Sequence, residues 1–272
     1  MKVKIEHIMQ ELKEKDAILI CQMGKVGSST VADSLKALEL NVPILHFHHL
    51  TYKTLELLEK KRINAKRPVS KHLSISRAVL AAIEKGYDVK KWKIISLTRE
   101  PIARSISVFF HHINKRFPDF NVNLYSSSEK IEFLVTKFLK SSLHNLPLTW
   151  FDQNIKQAFN IDVFSDNFDK KIKYKIYKGN HPDLLVLRLE NINECAEPAI
   201  KDFLGIDNFS IIKSNIGSEK KYSRIYQNFL DSVKLPESYI EKMYSSRYAE
   251  YFYSQEELEE FKTKWSKQDK VV

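Results

Sequence analysis

Apolar residues along the chain follow two patterns, short unbroken runs and helical spacing, and the two alternate. Ala17–Gln22 (AILICQ) is an apolar run ending in a polar residue, as expected of a strand buried in a parallel sheet. The hydroxyl-led SSTVADSLKALEL after it carries Val31, Leu35 and Leu38 at helical spacing. Val42–Leu50 reads as a second strand, and TYKTLELLEKKR as a helix with Leu55, Leu57 and Leu58 inward. RPVSKHLS is expected to be a loop or short strand. ISRAVLAAIEKGY reads as a helix stopped by Gly86, where a left-handed C-cap costs glycine nothing. Lys91–Thr98 is the third strand, and Pro101 suits the first turn of the helix PIARSISVFFHHI. Alternating strands and helices imply right-handed crossovers and a parallel sheet.

Further along, the pattern changes. Residues 116–160 are aromatic and helical with the interruption PDFNVNLYSSS, and are expected to form lid or acceptor-site helices. KKIKYKIYKGNHPD alternates apolar residues with lysines and turns at Gly179-Asn180, so it reads as a β-ribbon leading into the apolar strand Leu184–Glu190. The lysines most simply mark a wet sheet face. From Asn193 onward helices dominate: ECAEPAIKDFLGI, KKYSRIYQNFLDSV, PESYIEKMYSSRYAEYF and SQEELEEFKTKW. The N-terminal MKVKIEHIMQELKEKD, with Ile5, Ile8, Met9 and Leu12 among charges, is an amphipathic helix rather than a signal peptide.

With 272 residues, 43% of them hydrophobic and no repeat or linker in view, the chain is expected to be one α/β domain, residues 1–272. No stretch approaches the roughly 20 apolar residues that span a bilayer, so a soluble protein is expected. Cys21 and Cys195 form no disulfide framework and have no metal-ligand neighbours, which suits a reducing compartment, the cytoplasm. The net charge of +10 suits a partner rich in phosphate or sulfate, though solvated helix faces give the same excess. Nucleic acid is disfavoured, because the basic residues are dispersed and no recognition module interleaves them with stacking aromatics.

Two stretches carry candidate chemistry. MGKVGSST places glycines, Lys25 and hydroxyls between a buried strand and a helix, so backbone N–H groups gather at the positive helix end and Lys25 adds a point charge. The lysine precedes Gly27, so this is not the Walker A order, and no Asp-ended strand offers to hold magnesium. An ordinary tight turn with a Ser N-cap gives the same pattern. REPIARSIS then places Arg99 at the carboxyl end of a strand, where ligands of open α/β sheets bind, and Ser107 two turns into the next helix. An arginine fork there can grip a phosphate bidentately and Ser107 can donate to the same group, while Arg104 can simply pair with Glu100.

Together these stretches resemble the P-loop sulfotransferases. The 5′-phosphosulfate loop of that family runs K-x-G-[ST/C]-[ST]-x, matched by Lys25-Val26-Gly27-Ser28-Ser29-Thr30, and its 3′-phosphate motif R-[DE]-P-x-x-R-x-x-S is matched by Arg99 through Ser107. The later VLRLENI, SNIGSEKKYSRIY and SSRYAEYFYSQEE look, more loosely, like the C-terminal part of bacterial carbohydrate-type members, including proteins labelled for capsular polysaccharide synthesis. The resemblance implies a P-loop NTPase-like parallel sheet flanked by helices, with a donor-binding core at 17–110 and acceptor-side helices and ribbon at 111–272. It implies 3′-phosphoadenosine 5′-phosphosulfate as donor, and a hydroxyl acceptor, most plausibly a carbohydrate. Lys25 would neutralise the leaving 5′-phosphate, Ser28, Ser29 and Thr30 would hold its oxygens with Gly27, and Arg99 with Ser107 would hold the 3′-phosphate. A sulfuryl group bears less negative charge than a phosphoryl group, so a lysine and backbone donors can serve without the metal clamp of kinases; no metal is expected.

A base for the acceptor hydroxyl has to come from elsewhere. In LHFHHL the period of two puts His46 and His48 on one strand face, with His49 opposite or at the strand end. His48 is the first choice, His49 the next, and His72 competes because many members of that family carry a histidine just ahead of the arginine-bearing strand. Glu190 and Asp33 are carboxylate substitutes. His111-His112 lie on the surface or acceptor side, and Lys220, Lys221 or Arg224 could reach the 3′-phosphate. A non-catalytic nucleotide or glycan binder, and a P-loop kinase, are the alternatives.

Overall fold

The computed structural model describes residues 2–117, 128–141, 144–212 and 222–266. The chain forms two compact units, Met1–Thr98 with Thr149–Ser214 and Arg99–Leu148 with Asn215–Val272. The first holds a five-stranded sheet built from β1 (Ala17–Cys21), β2 (Ile44–Phe47), β3 (Trp92–Thr98), β4 (Tyr174–Tyr177) and β5 (Asp183–Arg188) in the order β2-β1-β3-β5-β4. β2, β1, β3 and β5 run parallel, and β4 closes the edge antiparallel to β5, so the expected α/β architecture with a ribbon is present.

Every residue of β1 is buried, because the strand lies between two neighbours: Ile18 pairs with Ile44 on one side and Leu19 with Ile94 on the other. α1 (Lys2–Glu14) precedes β1; the crossovers are α2 (Ser28–Lys36) between β1 and β2, then α3 (Tyr52–Asn64) and α4 (Lys71–Glu84) between β2 and β3. α1 buries Ile8, Met9 and Leu12 and packs on α4, and Trp92 Nε1 donates to the Leu12 carbonyl at 3.4 Å. Arg77 on α4 ties down α3 with a two-point contact to Glu59 at 2.7 and 2.6 Å. α4 stops as its sequence predicts: Gly86 is left-handed at φ 69°, and its N–H and that of Tyr87 close on the Ile83 and Ala82 carbonyls. The chain leaves β1 for β2 on one side and then returns to β3 on the other, so the carboxyl end of β1 is the topological switch point where such sheets hold ligands.

Three boundaries differ from expectation, the first because tertiary contacts outweigh the local pattern. β2 stops at Phe47 rather than Leu50, since Trp150 Nε1 donates to the His48 carbonyl at 3.0 Å and the Leu50 N–H goes to Asn154 Oδ1 at 2.8 Å, which takes both backbone groups out of any ladder. Lys71–Ser74, expected as loop or strand, is the first turn of α4, capped by Ser70, whose Oγ accepts the Leu73 N–H at 3.4 Å. Leu189–Asn191 turns as a short 3₁₀ helix after β5 instead of extending it.

The second unit is helical. α5 (Pro101–His111) buries Ile102, Ile106, Phe109 and Phe110. Phe110 meets Phe229 of the helix Ser223–Ser232 with centroids 5.1 Å apart, and Phe138 of the helix Ser128–Leu139 lies 5.7 Å from Phe109. The single helical stretch read at PESYIEKMYSSRYAEYF is two helices, Glu237–Tyr244 and Arg247–Phe252, broken where Ser246 caps the second by accepting the Ala249 N–H. The helix Gln255–Ser266 packs Phe261 on Tyr244 and Tyr253. Among the described residues no helix is long and apolar enough to cross a membrane.

Both thiols lie inside the first unit. Burial raises the Cys21 thiol well above its ordinary range and pushes Cys195 up to about 11. At that value about one Cys195 thiol in 10³ is ionised at pH 8, and the thiolate is the nucleophile. Native protein should therefore resist iodoacetamide at pH 8 and take up two equivalents once unfolded in denaturant. Rapid modification of the folded chain, counted by intact mass, would contradict this burial.

Candidate functional site

The loop between β1 and α2 is wound through two left-handed residues. Lys25 and Gly27 are both left-handed, at φ 75° and 78°, and they alternate with ordinary backbone at Val26. Successive residues of opposite hand turn their N–H groups to one side, and α2 begins directly after them, its Thr30 N–H closing on the Gly27 carbonyl at 3.1 Å. Val26 is fully buried and anchors the loop, while Lys25, Gly27, Ser29 and Thr30 are half-buried and Ser28 is buried. The ordinary turn with a Ser N-cap is not what forms: Gly27 is the N-cap and Ser28 the first helical residue. A side chain at Gly27 would be strained by its φ, and an added Cβ would lie 2.3 Å from Leu189 Cδ1. Leu189 comes from the turn that ends β5, so the loop lies close against the carboxyl end of that strand.

Three histidines gather at the same edge of the sheet. His46 is in β2, His48 follows it, and His72 stands in the first turn of α4. Their ring centroids are 5.0 Å apart for His46–His48, and 4.8 Å for both His46–His72 and His48–His72. His48 Nδ1 lies 3.0 Å from the Gln22 carbonyl and His72 Nδ1 2.7 Å from the His46 carbonyl. A carbonyl can only accept, so both rings carry their proton on Nδ1 and their lone pair on Nε2. Gln22, fully buried, sets its Nε2 3.0 Å from His46 Nε2 and leaves Oε1 buried without a hydrogen-bond partner. Burial first, then the neighbouring His48, His72 and Lys36, push the pKa of His46 down to about 3, so this imidazole is neutral.

The sequence thus singles out His48 and its competitor His72, and the fold stacks them. His49 lies 6.5 Å from His48, outside the trio. Asp33 and Glu190 are exposed. Sequence reasoning missed Gln22; the signal available was a polar residue closing an otherwise apolar strand.

In the second unit, Arg99 is half-buried, and both its backbone groups bond the Tyr248 hydroxyl: the N–H donates to it at 3.1 Å and the carbonyl accepts from it at 2.9 Å. Glu100 caps α5, accepting from the Ile102 N–H at 2.6 Å, the Ala103 N–H at 2.7 Å and the Tyr244 hydroxyl at 2.7 Å. Its carboxylate serves the helix N-terminus, the role that the sequence left open to an Arg104 pair. Arg104 is itself buried, and burial, with Arg99 beside it, lowers it to about 10 against the pull of Tyr248. Ser107 is half-buried, a turn beyond Ala103 on the same helix face. His111 and His112 are exposed, as is Arg224; Lys220, Lys221 and the PDFNVNLYSSS interruption lie outside the described residues.

The first unit is thus an α/β sheet with a left-handed glycine loop at its switch point. The family model NKWYS, described as putative capsular polysaccharide synthesis protein, matches residues 119–254, half of the chain, and the chain belongs to that family. No curated protein and no solved structure matches it. The matched segment follows both the Lys25 loop and Arg99–Ser107 in sequence, so the two phosphate-type motifs stand on their own residues.

Gly27→Ala should destabilise the protein by about 1–2 kcal/mol in urea unfolding, the usual cost of a left-handed L-residue. Gly24→Ala, whose added Cβ meets nothing within 4 Å, should be nearly neutral. Equal losses at the two positions would mean that the left-handed turn is not what Gly27 supplies.

Proposed function

We propose that the protein is a sulfotransferase that moves a sulfuryl group from 3′-phosphoadenosine 5′-phosphosulfate to a carbohydrate hydroxyl, as a step in capsular polysaccharide synthesis. The observation that carries the reading is the pairing, in one compact unit, of the left-handed Lys25–Gly27 cradle with two histidines whose tautomers are fixed by backbone carbonyls. Gln22 supports both, three residues ahead of Lys25 and bonded to His48.

The acceptor oxygen attacks sulfur in line, the bond from sulfur to the 5′-phosphate oxygen breaks, and 3′-phosphoadenosine 5′-phosphate leaves. Lys25 and the N–H groups of residues 27–29 neutralise the charge that grows on the leaving phosphate; this stabilisation is greatest in the transition state and so speeds the reaction. Arg99 and Ser107 hold the 3′-phosphate. His48 Nε2 takes the acceptor proton, because its Nδ1–H is committed to the Gln22 carbonyl. His72 shares that arrangement through the His46 carbonyl and is the competing base.

3′-Phosphoadenosine 5′-phosphate should raise the melting temperature, by about 2.7 kcal/mol of added stability at 100 times its dissociation constant, and EDTA should not reverse this. Adenosine 5′-phosphate should stabilise less; equal stabilisation would refute the 3′-phosphate roles of Arg99 and Ser107. Arg99→Ala removes a charge-assisted grip of roughly 1.5–3 kcal/mol, so nucleotide affinity should fall about 10- to 150-fold in a folded variant.

Turnover tests the base once a sulfate-acceptor screen has supplied the carbohydrate. His48→Ala should keep bisphosphate affinity while kcat falls by about 10²–10⁴. Near-normal turnover of His48→Ala beside an inactive His72→Ala would transfer the role to His72.

A further inference from the structure

The histidine trio has a property that proton abstraction alone does not use. One ring nitrogen from each of His46, His48 and His72 lies within 4.8 Å of the other two, and the group contains no carboxylate. Three imidazoles around one point, with no carboxylate among them, make an all-nitrogen donor set, and imidazole ligates a metal through the lone pair of its neutral ring.

Each ring also has the outer hydrogen bond that orients a ligating histidine. His48 and His72 donate Nδ1–H to the Gln22 and His46 carbonyls, which aims Nε2 and raises its basicity. His46 has the Gln22 amide against its Nε2 at 3.0 Å. Turned over, that amide presents Oε1, the buried oxygen that has no hydrogen-bond partner, and accepts an N–H from the same nitrogen. The lone pair of His46 then moves to Nδ1, while the amide nitrogen of Gln22 takes the buried position that Oε1 had held.

We propose that His46, His48 and His72 form a three-histidine site for a borderline divalent ion of the zinc class, with a fourth position open. An all-nitrogen donor set selects zinc, cobalt, nickel or copper over magnesium and calcium, which prefer oxygen. Tetrahedral zinc with Zn–N near 2.0–2.1 Å needs ligand nitrogens about 3.3 Å apart, so each ring moves inward by roughly 1 Å or less. The two elements that carry the rings already touch through the bond from His72 to the His46 carbonyl, which limits how far they can spread. Ligation uses the same Nε2 lone pair that would accept a proton at His48, so a metal-loaded trio cannot serve as the base.

The test begins with the full chain stripped by EDTA and desalted, then titrated with cobalt(II). One equivalent should give the visible d–d band of a tetrahedral site, and one equivalent of zinc should abolish it. His46→Ala and His72→Ala should each weaken cobalt affinity at least 10-fold, while His49→Ala should leave it unchanged. Zinc should also protect His48 and His72 of the native chain from diethyl pyrocarbonate, read by peptide mass, a measurement that needs no variant to fold. No cobalt band, affinity in the two trio variants equal to that of the native chain, or modification of His48 and His72 undiminished by saturating zinc would each overturn the site. Bisphosphate binding is read separately by melting temperature, so failure of the donor reading and failure of the metal site are distinguishable.

Discussion

Gln22 follows β1 directly with its side chain fully inside the protein, and the candidate site is assembled around it. Its N–H continues the ladder to the Phe47 carbonyl, its own carbonyl accepts from His48, and its amide faces His46. A buried glutamine with one stranded oxygen costs stability, and natural cores keep such groups mainly where they position something. Here the residue holds two rings in register with the end of β1, and the chain then turns at once into the Gly24–Gly27 loop. The anion cradle and the imidazoles thus share one rigid base, so a shift of β1 would move both.

The parts of this arrangement that were legible in the sequence are those set by local physics. The apolar run at 17–21 could only be a strand buried on both faces, Gly86 could only end a helix, and the alternation at 46 and 48 put two histidines on one side. What was illegible depended on bonds between distant residues. Nothing within SKHLS says that Ser70 will cap a helix and swing His72 onto His46, because the pairing is with a carbonyl 26 residues away. The early end of β2 is equally invisible locally, since it follows from Trp150 and Asn154 claiming the backbone of His48 and Leu50. Gly27 as N-cap, in place of serine, follows from the left-handed turn that the loop needs at that point.

The family segment and the motif-bearing residues meet in these same contacts. Trp150, Asn154 and Leu189 all lie within residues 119–254, and each braces a residue outside it: the His48 carbonyl, the Leu50 N–H and the Gly27 backbone. The half of the chain that the family describes is therefore part of the mounting of the loop and of the histidines, although it contains neither. A substitution at Trp150 or Leu189 would reach the site without touching any residue proposed to bind donor or acceptor.

The electrostatics of the two features are opposed, and this opposition limits what the site can do. The loop gathers positive potential from oriented N–H groups and Lys25, which suits a multiply charged anion. The trio, by contrast, holds no acid to stabilise a protonated ring, and His46 is held neutral far below physiological pH. A proton accepted there has to be passed on rather than stored, and it gains stability only when negative charge lies near. A nucleotide bound at the loop as proposed would supply that charge, so a base at His48 would be strongest with it in place. The same anion would favour a divalent cation on the three nitrogens, which makes the competition between proton and metal for His48 Nε2 a competition under one field.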